Sequence, residues 1–86
     1  MSERPWHVYI VRCADSTFYT GIARDLEARI VTHNAGTGAR YTRGRGPVKL
    51  VYSECVADRP AALRRELAIK RLSRPAKGRL IANGAD

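Results

Sequence analysis

Tyr9, Tyr19, Arg29, His33 and Glu66 are the side chains of this sequence whose types and spacing suit one reaction. The tyrosines lie ten residues apart, in Val8-Tyr9-Ile10 and Tyr19-Thr20-Gly21. Arg29 and His33 are four apart, a spacing that projects both from one face of a helix. Glu66 is a single carboxylate in a stretch otherwise rich in Arg, Lys and apolar residues. A phosphodiester hides a poor electrophile behind negative charge. Cutting it takes an activated nucleophile, charge neutralisation and a protonated leaving group. A phenol, a guanidinium, an imidazole and a carboxylate on a basic chain are the parts for that work.

Each residue also has a plainer reading. Tyr9 can be a strand aromatic that packs in the core. Tyr19 can position water or bond a phosphate, or simply pack beside the first helix. Arg29 can clamp a phosphate, since it stays cationic at every relevant pH, or pair with Asp25. His33 can move a proton or hold a phosphate oxygen, or sit at a helix C-terminus for the sake of the dipole. Glu66 has Leu63 and Ile69 three residues to either side. A carboxylate so flanked is partly buried, and therefore paired or bound to a metal. The plain pairing is an i, i+4 salt bridge to Lys70.

The elements that must position these groups follow from local pattern. Trp6 to Cys13 clusters Val, Tyr and Ile and predicts a strand. Ala14 to Thr17 is turn-like, and Phe18 to Ile22 is a second strand, so residues 6–22 form a β-hairpin. A two-residue turn would put Tyr9 and Tyr19 on opposite faces of the sheet. A three-residue turn or a bulge puts them on the same face, as one shared site requires. Asp25 predicts an N-cap for a helix through about Ala35, ended by Gly36. Gly36 to Pro47 is a loop with four glycines and three arginines. Val48 to Val56 predicts a third strand. Asp58 or Arg59 precedes Pro60 and a helix to about Leu72; Ser73 caps a last helix through Ala82. The expected fold is α+β, a small three-stranded antiparallel sheet flanked by helices in the order ββαβαα, as a single domain over residues 1–86.

Composition supports a nucleic-acid partner. Sixteen Lys+Arg against eight Asp+Glu give a net charge of +8, and Arg outnumbers Lys thirteen to three. Guanidinium grips phosphate through a rigid two-pronged donor set, and a basic surface wants an anionic polymer. Arg40, Tyr41, Arg43 and Arg45 interleave cations with an aromatic in the glycine-rich loop, a pattern that can follow a phosphate backbone. Lys70 and Lys77 belong to a second basic tract running to Arg79. No run approaches the roughly 20 apolar residues of a membrane span, and no secretory signal is visible. Cys13 and Cys55 read as free thiols, small buried hydrophobes in a reducing cytoplasm. No motif points to an obligate protein partner, and no His/Cys cluster suggests zinc.

The ordered set of Tyr9, Tyr19-Thr20-Gly21, Arg29, His33 and Glu66 resembles the GIY-YIG nuclease superfamily, and its small stand-alone bacterial members in particular. The resemblance covers roughly residues 6–82. His7 stands where the first motif has glycine, Val8 where it has isoleucine, and Thr20 where the second has isoleucine. The resemblance implies a metal-dependent nuclease acting on DNA rather than RNA. It makes Tyr9 the general base and Glu66 the single ligand of Mg²⁺ or Mn²⁺. Arg29 is then the phosphate clamp, with Tyr19 and His33 aligning water or phosphate. With no recognition domain evident, the expected selectivity is for structure or strandedness. The alternative is a basic nucleic-acid-binding module without turnover.

Overall fold

Val8, Tyr9, Ile10 and Val11 are all buried, because β1 (Trp6–Arg12) is the middle strand of a sheet covered on both faces. A doubly covered strand needs no polar alternation, which accounts for its continuous apolar run. The computed structural model describes residues 5–84. β2 (Phe18–Ala23) and β3 (Lys49–Val56) flank β1, both antiparallel, giving the order β2-β1-β3. With three helices the architecture is α+β in the expected order ββαβαα.

The hairpin settles the parity question. Cys13 N donates to Thr17 O at 2.8 Å and Ser16 N to Cys13 O at 2.9 Å. The loop proper is therefore Ala14-Asp15-Ser16, a turn closed by Ser16 in the left-handed region at φ 68°. The resulting register sets Tyr9 opposite Gly21 and Val11 opposite Tyr19. Tyr9, Val11 and Tyr19 thus share one face. β1 ends at Arg12 and β2 reaches Ala23, one residue from each expected boundary.

Local hydrogen bonds set the helix starts. Asp25 Oδ1 accepts from Ala28 N at 3.1 Å and starts α1 (Leu26–Asn34). Asp58 does the same for α2 (Arg59–Lys70) and Ser73 for α3 (Arg74–Asn83), each with a proline in the first turn. Leu26 and Ile30 of α1 pack on the face that carries Tyr9 and Val11. Ala62 and Ile69 of α2, with Leu80 and Ile81 of α3, cover the opposite face around Val8 and Ile10.

One expectation is corrected. Cys55 is exposed rather than buried, because β3 is an edge strand; Cys13 is buried, and both thiols are free. The segment after α1 is a loop, as expected, and its own contacts hold it in place. It contains a 3-10 turn (Arg40–Thr42), and Arg45 O accepts from Ala14 N at 2.8 Å. Asn34 clasps Val48 from both sides, accepting from its N at 2.7 Å and donating to its O at 3.3 Å. These contacts fold the segment back against α1 and the hairpin. Among the described residues no helix is long and apolar enough to cross a membrane.

Candidate active site

Four elements bring the five expected side chains to one place. Tyr9 stands at the centre of β1 with its phenol over Gly21 of β2. A Cβ at residue 21 would lie 2.5 Å from the phenol oxygen, so the glycine makes room for the ring. His33, in the last turn of α1, brings its Nε2 to 2.7 Å from that oxygen. Ring centroids lie 5.9 Å apart for Tyr9 and His33, 5.4 Å for Tyr19 and His33 and 6.5 Å for Tyr9 and Tyr19. Arg29 sits one turn before His33, half-buried; among the described residues it forms no ion pair, with Asp25 or otherwise. Glu66 comes from α2, which packs along β1 and β2. Its side chain is 19% exposed and pairs with Lys70 at 3.4 Å, while the Lys70 ammonium lies 6.0 Å from the Tyr19 ring centre.

The electrostatics report the same convergence. Burial raises the Tyr9 pKa above its ordinary value of 10.0; the Arg29 guanidinium pulls it back, and Tyr19 and Glu66 push it up. Burial lowers the His33 pKa below 6.5, and the Arg29 charge lowers it further. Phenol and imidazole therefore both rest neutral at pH 7, joined by one short hydrogen bond. Tyr9 itself is 0% exposed.

The loop residues divide. Tyr41 stacks on Tyr19 with centroids 5.9 Å apart at 24°, and the Arg45 guanidinium lies 4.4 Å from the Tyr41 ring centre. Arg45 also pairs with Asp15. Tyr41 is thus a wall of the site, tied to one of its tyrosines. Arg40 and Arg43 are exposed beside it and form no ion pair among the described residues. Lys77 lies on α3, and among the described residues it forms no ion pair. Arg65 of the basic tract pairs with Glu54 of β3 instead of facing outward alone.

Comparison with known proteins identifies the family. The GIY-YIG catalytic domain family matches residues 5–79. The chain belongs to the GIY-YIG family. It is 52% identical over 80 residues to a UPF0213 protein of Haloquadratum walsbyi, covering 93% of this chain and 90% of that one. It is 47% identical over 81 residues to the Escherichia coli UPF0213 protein YhbQ, covering 94% and 81%. The solution structure of a UPF0213 protein from Bacillus halodurans superposes with a TM-score of 0.59 at 42% identity, over 91% of this chain and 83% of that one. A protein of E. faecalis gives 0.64 at 33% identity, over 95% and 88%. UPF0213 relatives are small stand-alone proteins, and this GIY-YIG domain shares their fold.

The family is one of nucleases, which act on nucleic acid and are generally metal-dependent. Glu66 suits such an ion. Its carboxylate is partly buried, pairs with Lys70 and lies near enough to Tyr9 for its charge to raise the phenol's pKa. No group of three or more His, Cys, Asp and Glu side chains converges among the described residues. One carboxylate with retained water and substrate oxygens is a coordination that Mg²⁺ accepts.

Two members of the site lie outside the sequence-based set. Thr42 Oγ1 is 2.8 Å from His33 Nδ1, and Thr42 is 1% exposed. Gly38 is buried against the same imidazole, where a Cβ would come within 2.5 Å of Nδ1. In the sequence, Gly38 reads as turn punctuation and Thr42 as a polar loop residue. Only the closure of the loop on α1 gives them a role.

Proposed function

We propose that this GIY-YIG domain hydrolyses phosphodiester bonds of DNA with one divalent metal ion, Mg²⁺ or Mn²⁺. The observation that carries the reading is the Tyr9–His33 hydrogen bond inside a cluster that also holds Tyr19, Arg29 and Glu66. Glu66 would hold the ion, which when bound supplies positive charge at the phosphate. Tyr9 takes a proton from the attacking water while its own phenol proton passes to His33 Nε2. The phenol thereby acts as a base without a free phenolate, which its raised pKa forbids at neutral pH. Arg29 neutralises charge on the phosphoryl oxygens. Among the described residues it forms no ion pair, so its charge is available to a substrate phosphate. Tyr19, braced by Tyr41, aligns water or phosphate beside the two rings.

Arg40, Arg43, Arg45, Lys70 and Lys77 add attraction for the nucleic-acid backbone, and binding that rests on phosphate contacts weakens steeply with salt. The small domain favours selection by structure or strandedness over a long sequence.

One observation favours a second reading, a basic binding module without turnover: Tyr9 has no accessible surface, so substrate water meets the phenol only after Tyr19 or its neighbours shift. Incubating the protein with single-stranded, duplex and branched DNA and with RNA, in Mg²⁺, Mn²⁺ or EDTA, separates the two. Metal-dependent cleavage supports the nuclease. Salt-sensitive binding with every substrate left intact supports the module.

A further inference from the structure

We propose that Thr42 is a positioning residue that locks His33 in its Nδ1–H tautomer, and so fixes the direction in which the Tyr9 proton leaves. The inference rests on the nuclease reading for its catalytic consequence, but not for the tautomer itself.

Two independent counts of protons lead there. The Thr42 hydroxyl has one proton, and the Ala39 carbonyl, 2.9 Å from Oγ1, can only accept it. Oγ1 must then accept at its 2.8 Å contact with His33 Nδ1, which places a proton on that nitrogen. From the other end, the Tyr9 phenol is fully buried, and among the described residues the one acceptor bonded to it is His33 Nε2, because the Arg29 guanidinium beside it can only donate. A buried O–H with one acceptor in reach donates to it. Nε2 must therefore be bare. Both counts give the same neutral imidazole, with its proton on Nδ1 and its lone pair aimed at the phenol.

The loop is built to hold this arrangement. The Ala39 carbonyl is fixed at the start of the 3-10 turn by Thr42 N at 3.0 Å. Gly38 lets the same backbone lie against the imidazole, where any Cβ would collide with it. With the opposite tautomer, Nε2–H would donate to the phenol oxygen. The Tyr9 proton would then have no acceptor, and the Thr42 hydroxyl would have to leave Ala39 to serve Nδ1. When Tyr9 hands its proton to Nε2, Thr42 keeps accepting from Nδ1–H, so the imidazolium forms without any partner turning. Thr42 touches neither substrate nor metal in this scheme; it acts through His33.

The test is nitrogen-15 NMR of imidazole-labelled protein, beside single-turnover cleavage, for the wild type, Thr42→Val and Thr42→Ser. The expected wild-type spectrum has His33 protonated on Nδ1 with a pyridine-like Nε2. Thr42→Val, which keeps the shape and removes the acceptor, should lose that pattern for a mixed or Nε2–H form. Its saturating single-turnover rate should fall by about 10- to 100-fold, the range seen when the outer partner orienting a metal-bound histidine is removed, with the half-saturating concentration little changed. Thr42→Ser should restore both. An Nε2–H tautomer in the wild type overturns the proposal even if Thr42→Val fails to fold. An Nδ1–H tautomer that survives in a folded Thr42→Val also overturns it. Loss of the tautomer in Thr42→Val and recovery in Thr42→Ser, in a protein that cleaves nothing, supports the lock and refutes the nuclease reading alone.

Discussion

Replacing Gly38 with alanine perturbs the site while leaving every side chain proposed to do chemistry unsubstituted. The added Cβ would sit 2.5 Å from His33 Nδ1, 2.9 Å from its Cα and 3.1 Å from its Cγ. The Cα belongs to the last turn of α1, so a simple rotation of the imidazole relieves only part of the clash. Either the loop backs away from α1 or the helix end shifts. Forced overpacking of this kind costs about 1–3 kcal/mol, and in a domain this small each kcal/mol lowers Tm by about 4–8 °C. The expected loss is therefore about 4–24 °C by circular dichroism. Because His33 is the residue displaced, the hydrogen bonds to Thr42 and Tyr9 should weaken too, and cleavage should fall along with Tm. Gly78→Ala is the matched control. Gly78 lies inside α3 with nothing within 4 Å of an added Cβ, so its replacement should stabilise by about 0.5–1 kcal/mol. A Gly38→Ala protein with the Tm and the His33 resonances of the wild type would refute the close seating of the loop on the imidazole.

Other expectations follow from the same contacts. The unfolded chain protonates His33 near its ordinary 6.5, whereas the folded chain resists protonation, so stability should fall as pH drops below about 6.5. Tm measured against pH should show a slope there that His33→Gln reduces; an equal slope in the variant would contradict the buried, neutral imidazole. Lys70 is i+4 to Glu66 and half exposed, so Lys70→Gln should change stability by no more than about 0.5 kcal/mol. The same variant should bind Mn²⁺ more tightly by electron paramagnetic resonance titration, because the ammonium no longer competes for the carboxylate; weaker binding would contradict that. Gly21→Ala puts a Cβ 2.7 Å from Tyr9 Cζ and 3.1 Å from Tyr19 Cε2. It should lower both Tm and cleavage, and an unchanged rate would separate the ring positions from activity.

Much of this arrangement was legible locally. Asp25, Asp58 and Ser73 cap their helices through bonds to a backbone N–H three residues on, a relation contained within one turn of sequence. The apolar cluster around Val8 to Val11 announced a strand, though not its central place in the sheet, and the Glu66–Lys70 spacing announced their pair. The common face of Tyr9 and Tyr19 was legible only as a condition. It depends on Ser16 taking a left-handed backbone, and serine gives little sign of that where glycine or asparagine would. Thr42 and Gly38 were not legible. Their contact with His33 requires the segment from Gly36 to Pro47 to close on α1, which Asn34, Ala14 and Asp15 achieve across distant stretches of chain. Tyr41 was legible as an aromatic among arginines, but not as a brace for Tyr19.

The most direct measurement is the single-turnover cleavage rate of the wild type, Tyr9→Phe and Glu66→Gln on the best DNA substrate, with Mg²⁺ or Mn²⁺ at saturation. All three must be shown folded by the same spectra. Catalysis by the Tyr9–His33 pair with an ion on Glu66 requires a wild-type rate that EDTA abolishes, and a loss of at least about 100-fold in each variant. Cleavage by Tyr9→Phe or Glu66→Gln at the wild-type rate would contradict it.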